Sequence, residues 1–201
     1  MTISILILSI PERINSLNRI FSKLRTQVNG AKLDGKVEIL SLMDNKFCSI
    51  AAKRNSLLNM ASGDYIGFLD DDDDISGNYL SSLLSAAEHK SDVITFNQHC
   101  MIDKIPLHVR FGLGNPHEGL IYDSGTKCYK PIKRPPYHVC FWRSALARSE
   151  QFRQVVTENG QSVEDIDWCR RLYPKCASSS HIDETLHFYN YNSATTASIL
   201  K

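Results

Sequence analysis

Apolar residues run almost unbroken from Thr2 to Ser9 (TISILILS), the pattern of a strand covered on both faces, and Pro11 ends the run. Ile14, Leu17, Ile20, Phe21 and Leu24 then recur at helical spacing, which predicts a helix with one stripe packed on a sheet. Gly30 and Asp34-Gly35 break the chain before a second apolar run, Val37 to Met43. Strand, helix and strand make a βαβ unit. Ser49 to Ala61 again reads as helix, with Ile50, Leu57, Leu58 and Ala61 on one face and Arg54 on that same face, where a charge needs a partner. Gly63-Asp64 turns the chain into Tyr65 to Leu69, a short third strand that leads straight into Asp70, Asp71, Asp72, Asp73 and Asp74.

Ser76 is placed to cap a further helix, in which Leu80, Leu83, Leu84 and Ala87 repeat at i, i+3, i+4 and i+7, and Asp92 to Asn97 reads as a fourth strand. Regularity weakens after that. Residues 107–136 are interrupted by glycine and proline without a sustained period and read as long loops around a short strand or two. Tyr137 to Trp142 is strand-like, Ser144 to Ser149 reads as a short helix, Ser162 to Tyr173 as a helix that stops at Pro174, and Glu184 to Tyr191 as a late strand. No repeat or linker divides the chain. The expected architecture is a single α/β domain over residues 1–201, a mostly parallel sheet with helices on both faces.

Composition changes this picture in one place. The 201 residues carry 23 Lys and Arg against 22 Asp and Glu, so bulk charge argues neither for a nucleic-acid coat nor for a membrane-surface protein. Five of those acids, however, are consecutive at 70–74, and a cation is expected beside them. The first apolar run is too short to span a bilayer and lacks the features of a signal peptide, so a cytoplasmic location is expected, at most peripheral to a membrane. Cys48, Cys100, Cys128, Cys140, Cys169 and Cys176 form no CxxC and are expected to be free thiols, mostly buried. The histidines show no zinc spacing.

Open α/β sheets bind ligands beyond the carboxyl ends of their strands. Ser9-Ile10-Pro11, Asp44, the aspartate run and Asn97 all fall at such ends. If the run is extended, Asp70 and Asp72 point one way and Asp71 the other, and paired carboxylates of this kind suit Mg²⁺ or Mn²⁺. A solvated acidic loop is the plain alternative. An EF-hand is a poor one, because DDDDDISGNYLS lacks the central glycine and terminal glutamate.

Three segments, SILILSIPERINSL, KRNSLLNMASGDYIGFLDDDDDIS and EDIDWCRRL, resemble a small family 2 glycosyltransferase with the GT-A fold, well over residues 2–97 and loosely over 137–191. The resemblance implies transfer of a sugar from a nucleotide-diphosphate donor, UDP-linked by expectation, to an acceptor hydroxyl with inversion and a divalent metal. It implies a nucleotide-sugar half over 1–97 and an acceptor-binding, base-carrying half over 98–201. Carried over by position, Pro11 turns the chain towards the nucleotide and Asp44, within MDNK where the family has DDGS, receives the ring N–H of the base. Arg54 and Asn55 match an arginine-asparagine pair near the donor. Asp70 and Asp72 match the metal and ribose motif, with Asp71 between them. Asp165 matches the base, with Glu164 binding or orienting the acceptor. Asp73 and Asp74 are expected to order the loop.

Several residues keep two readings. Arg54 could place positive charge by the diphosphate or form a structural salt bridge to the acidic run. Asp165 could instead cap its helix with Glu164 in solvent. His187 could complete the metal site, as a late histidine does in some GT-A enzymes, or stack on Tyr189 and Tyr191; His138 carries even less signal. Trp142 and Trp168 could form an acceptor platform or be core. Lys127 to Arg134 (KCYKPIKR) could meet an acidic acceptor, even nucleic-acid phosphates, or be a solvated loop. Two other classes compete. A nucleotidyltransferase would show a glycine-rich basic loop after the first strand, where this chain has SIPERIN, and a catalytically idle nucleotide-sugar or glycan-binding module would bind donor without turnover. No GxGxxG follows the first strand and no GxxxxGK[ST] occurs, which disfavours dinucleotide and P-loop enzymes.

Overall fold

A computed structural model describes residues 1–158, 160 and 162–191. Its first half follows the sequence pattern closely. β1 (Ile3–Ser9), α1 (Ile14–Gly30), β2 (Val37–Met43), α2 (Ile50–Met60) and β3 (Tyr65–Phe68) build a parallel core in the order β2-β1-β3. The chain steps from β1 to one side through α1 and back to the other side through α2. Right-handed crossovers therefore put α1 and α2 on opposite faces and open a crevice at the carboxyl ends of β1 and β3. Leu17, Ile20 and Leu24 are the buried stripe of α1, while Ile14 at its start stays exposed. Ser49 caps α2 by accepting the Ala52 N–H at 3.2 Å.

Beyond β3 the aspartates form a turn, closed by the Asp73 N–H donating to the Asp70 carbonyl at 3.2 Å, and Asp74–Ile75 is a two-residue strand, β4. The run is thus not extended, yet burial still alternates, with Asp71 and Asp73 inside and Asp70 and Asp72 reaching solvent. α3 (Tyr79–Ala87) begins after Asn78 rather than under a Ser76 cap, because the Ser76 hydroxyl is spent on the Asn78 side chain at 2.8 Å. α1 and α3 pack together, and the Gln27 amide joins them by donating to the Ser76 carbonyl and accepting the Leu80 N–H.

The fourth predicted strand is longer than its apolar segment. β5 (Val93–Ile102) turns through Asp103-Lys104 into β6 (Ile105–Phe111), and both turn residues have positive φ, 47° and 70°, as a two-residue hairpin requires. Without Asn-Gly or Asp-Gly to announce it, this hairpin turn goes unread in the sequence, and most of β6 falls within the segment 107–136 expected to be mostly loop. β7 (Tyr122–Asp123), β8 (Cys128–Tyr129) and β9 (Ile132–Arg134) follow, and β10 is only Phe141–Arg143 because Tyr137 to Cys140 closes a turn instead. α4 (Ser144–Ala147), α5 (Glu164–Leu172) and β11 (Ser179–Tyr191) complete the chain. The sheet runs β2-β1-β3-β10-β5-β11-β4, parallel at β2-β1-β3 and at β5-β11, with antiparallel β10 joining the two blocks.

Trp142 and Trp168 are fully buried and 5.8 Å apart, so both are core rather than an acceptor platform. Gly67 is required where it stands, since an added Cβ would come within 2.6 Å of the Phe141 ring. All six cysteines are free; Cys100, Cys140 and Cys169 are buried and Cys48 is exposed. Among the described residues no helix is long and apolar enough to cross a membrane.

Candidate active site

The aspartate turn lies across the mouth of the β1–β3 crevice, and each carboxylate has a different environment. Asp71 is buried and anchors the turn: its Oδ2 accepts the Ser9 hydroxyl at 2.6 Å and its Oδ1 accepts Arg13 Nη1 at 3.1 Å. Arg13 reaches on to Asp72 Oδ2 at 2.8 Å. Asp74 faces Lys23, whose Nζ lies 2.7 Å from Oδ2, and Arg19 donates to the Asp73 carbonyl at 2.7 Å. The three basic residues of the first turns after β1 therefore hold the turn from one side.

Asp73 is buried against His187, with Nε2 2.9 Å from Oδ2, and the Gln98 amide nitrogen lies 2.8 Å from His187 Nδ1. The ring is fully buried, with Nδ1 hydrogen-bonded to Gln98 and Nε2 in ion-pair reach of Asp73. His187 lies against the turn from inside the sheet through its ion pair with Asp73, while Tyr189 and Tyr191 meet each other at 6.5 Å.

Asp70 faces two buried cations, and each cation carries one member of the late acidic pair. Arg54 Nη2 lies 3.8 Å from Asp70 Oδ1 and Arg54 Nε lies 3.3 Å from Glu164 Oε1. His138 Nε2 lies 3.9 Å from Asp70 Oδ2 and His138 Nδ1 lies 3.1 Å from Asp165 Oδ2. The Arg54 guanidinium also sits over the Phe68 ring, 4.9 Å from its centroid, with Phe152 beside it at 5.6 Å. Glu164 is buried and accepts the Ser162 hydroxyl, so it does not point into solvent. Asp165 Oδ1 accepts the Ile166 N–H at 2.7 Å at the start of α5.

These contacts set the charge states. Burial pushes the Asp70 carboxyl up, but His138 and Arg54 outweigh it and hold Asp70 well below the usual carboxylate range. Asp165 behaves likewise: burial opposes ionisation, while His138 and Arg54 bring it down to about 2. For His138, burial and the Arg54 charge lower the pKa, and Asp165 and Asp70 reverse this to bring it up to about 9. At neutral pH Arg54, His138, Asp70 and Asp165 are therefore charged. Asp72 is the opposite case, raised to about 6 by burial and by Asp70, Asp73 and Asp71, against the pull of Arg13.

The remaining expected residues sit further along the sheet edge. Asp44 follows β2 and is held by its own loop, accepting the Cys48 N–H at 2.8 Å and Lys53 Nζ at 2.6 Å, which bring its pKa down to about 2. Asn55 is a clamp: Nδ2 donates to the Phe152 carbonyl at 2.9 Å and Oδ1 accepts the Phe152 N–H at 2.7 Å, so both ends of its amide are occupied by backbone 97 residues away. Pro11 is exposed and opens a single helical turn, Pro11–Arg13, directly after β1.

His138 and Arg13 were not singled out by sequence reasoning as parts of this site, and Ser9 only as part of the segment that ends the first strand. Arg13 and Ser9 carried a signal, being at the end of the first strand; His138 had none, since its role depends on a loop that meets β3 and α5 only in the fold. For a divalent cation, no group of three or more His, Cys, Asp or Glu side chains among the described residues forms a ready-made cage. Asp72 is nevertheless exposed and Asp70 partly so, neither is tied to a lysine as Asp74 is, and Asp72 lies in an excess of negative charge. An oxygen site of one or two carboxylates suits Mg²⁺ or Mn²⁺ when substrate phosphates complete the shell, so these residues fit such an ion.

An open sheet with a crevice at its switch point, an aspartate turn across the crevice and a buried acidic pair opposite define a GT-A-like α/β domain. The chain matches the glycosyl transferase family 2 model over residues 21–152 and belongs to that family. Residues 1–349 of S. aureus TarS in complex with UDP-GlcNAc superpose with a TM-score of 0.61 at 14% identity, over 96% of this chain and 59% of that one. Without that complex, TarS 1–349 gives 0.59 at 18% identity, over 94% and 60%, and the TarS crystal structure gives 0.54 at 15%, over 95% and 37%. At such identity the likeness is one of fold, and this chain spans less than two thirds of the TarS chains. No curated protein sequence matches the chain. Glu164 and Asp165 lie beyond the stretch matched by the family model.

Proposed function

We propose that the chain transfers a sugar from a nucleotide-diphosphate donor to an acceptor hydroxyl with inversion. The observation that carries this reading is the convergence of Asp70, from the donor-side turn, with Glu164 and Asp165 through Arg54 and His138. Residues 1–97 would supply the donor site and residues 98–201 the acceptor site and the base. Asp70 and Asp72 would hold Mg²⁺ or Mn²⁺, which when bound stabilises charge on the departing diphosphate as a Lewis acid. Arg54 adds positive charge to the same basin, and its buried position strengthens that charge. Asp165 accepts the proton of the attacking hydroxyl on the face opposite the leaving group, and Glu164, oriented by Arg54, fixes the geometry around it.

A UDP-linked donor is the favoured substrate class, supported by the fold likeness to a TarS structure holding UDP-GlcNAc and by the place of Asp44 at the end of β2. The acceptor is a glycan or other hydroxyl compound. Lys127, Lys130 and Lys133 are exposed and would favour an acidic one. A cytoplasmic location, with peripheral membrane contact at most, fits a chain with no membrane-crossing helix among its described residues.

The test pairs binding with turnover. UDP binding with Mn²⁺, followed by calorimetry, should be lost in Asp70→Ala and retained in Asp165→Asn. Transfer, or slow donor hydrolysis, should fall by about 100-fold or more in Asp165→Asn. Near-normal turnover in that variant would remove Asp165 as the base, and metal-dependent UDP binding unaffected by Asp70→Ala would remove the donor assignment.

A further inference from the structure

One buried side chain meets both the donor-side turn and the late acidic pair without matching any motif residue. His138 sits in the turn before β10, and that turn is fixed by backbone: the Cys140 N–H donates to the Tyr137 carbonyl at 3.0 Å and Trp142 Nε1 donates to the same carbonyl at 3.1 Å. The His138 carbonyl accepts the Phe68 N–H at 3.2 Å, tying the loop to the last residue of β3, two positions before Asp70. The ring packs on Tyr137, with centroids 4.8 Å apart, and is almost wholly buried. Its rotation is therefore restricted before any charge is considered.

From that seat the ring makes two ion pairs, Nδ1 with Asp165 Oδ2 at 3.1 Å and, more loosely, Nε2 with Asp70 Oδ2 at 3.9 Å. The other Asp165 oxygen is held by the Ile166 N–H. The helix start fixes one oxygen; the Tyr137 hydroxyl and the charged His138 ring act on the carboxylate from the other side, and of these only the ring also faces Asp70. A base must lie within hydrogen-bond reach of the proton it accepts, and a displacement of about 1 Å costs a large part of the rate.

We propose that His138 is a positioning residue for sugar transfer: it locks the Asp165 carboxylate through Nδ1 and, through Nε2, holds it in register with Asp70. The inference rests on the transferase reading, but it assigns no proton transfer to His138. Arg54 relates Asp70 to Glu164 in the same way, so the two cations make a double strut between the donor-side turn and the start of α5.

The experiment compares His138→Leu, which keeps bulk and loses both nitrogens, with His138→Asn, whose amide can donate to Asp165 Oδ2. In His138→Leu, kcat should fall about tenfold or more with donor KM within about threefold, and His138→Asn should recover most of the loss. Combined with Asp165→Asn, His138→Leu should cost nothing further, because it acts only through that carboxylate. A loss confined to donor KM, a loss additive with Asp165→Asn, or no rescue by His138→Asn would overturn the proposal. Crystal structures of the same variants supply a readout without turnover. Asp165 should leave its place in His138→Leu and keep it in His138→Asn; an unmoved Asp165 in both overturns the positioning role. Wild-type protein that neither transfers nor hydrolyses any donor would instead defeat the transferase reading, and the crystallographic comparison would still decide the placement of Asp165.

Discussion

Asp72 is the residue at which stability and function pull apart most clearly. Its folded-state pKa is raised to about 6, above the ordinary 3.8, so the folded chain binds this proton more tightly than the unfolded chain does. Ionising Asp72 therefore costs stability progressively from about pH 4 to about pH 6, and the full cost persists above that range. Asp72→Asn should raise the thermal midpoint at pH 7.5 by a few degrees, on the order of 2–4 °C, and leave it unchanged below about pH 4. The same substitution should weaken Mn²⁺-dependent UDP binding. Differential scanning fluorimetry across pH, with and without Mn²⁺ and UDP, reads both effects, and an Asp72→Asn protein less stable than wild type at pH 7.5 would show that the Arg13 contact outweighs the repulsion. Asp71 differs from its neighbours in kind: buried on Ser9 and Arg13, it shapes the turn that presents Asp70 and Asp72.

Elements are held in place here by a few polar clamps between segments distant in sequence. Asn55 on α2 brackets the Phe152 backbone, and Phe152 stacks on Trp168 of α5 at 4.5 Å, so the helix carrying Arg54 and the helix carrying Glu164 and Asp165 share one aromatic seam. Asn55→Ala would strand a backbone donor and acceptor together. A destabilisation of about 1–3 kcal/mol is expected, measured by urea unfolding, with the loss in activity following the folded fraction. Unchanged stability with a specific loss of UDP binding would return Asn55 to the donor site that its motif suggests. The same logic explains the hairpin between β5 and β6: Asp103 and Lys104 both adopt positive φ although neither is glycine, because the long pairing of β5 with β6 and β11 outweighs the local strain of about 1 kcal/mol per residue.

Across the whole molecule, the two cations beneath Asp70 link pH to folding. His138 is raised to about 9 from an ordinary 6.5, so its contribution is complete below about pH 6.5 and is lost as pH rises through about 9. Asp165 and Asp44 are lowered to about 2, so theirs is present above about pH 4 and is lost as pH falls through about 2. Urea midpoints should decline between about pH 6.5 and 9, and His138→Asn should flatten that decline; a wild-type profile level across this range would contradict the assigned charge of His138.

How much of this was legible beforehand follows from the range of the forces involved. Periodicity and breakers located β1, α1, β2, α2, β3 and α3 because a helix or strand face is a local pattern, and they placed Asp70 to Asp74 at a strand end for the same reason. The late helix and its acids were legible too. By itself, then, the sequence determined an α/β domain with acidic groups at the edge of a parallel sheet. Only the tertiary structure decided which carboxylates open to solvent, that Asn55 spends its amide on the Phe152 backbone, that His187 is buried beside Asp73, and that His138 and Arg54 bridge Asp70 to Asp165 and Glu164. Those outcomes depend on contacts between segments scores of residues apart, and a buried charge takes its partner from whatever the folded chain brings within a few ångströms, which no local pattern encodes.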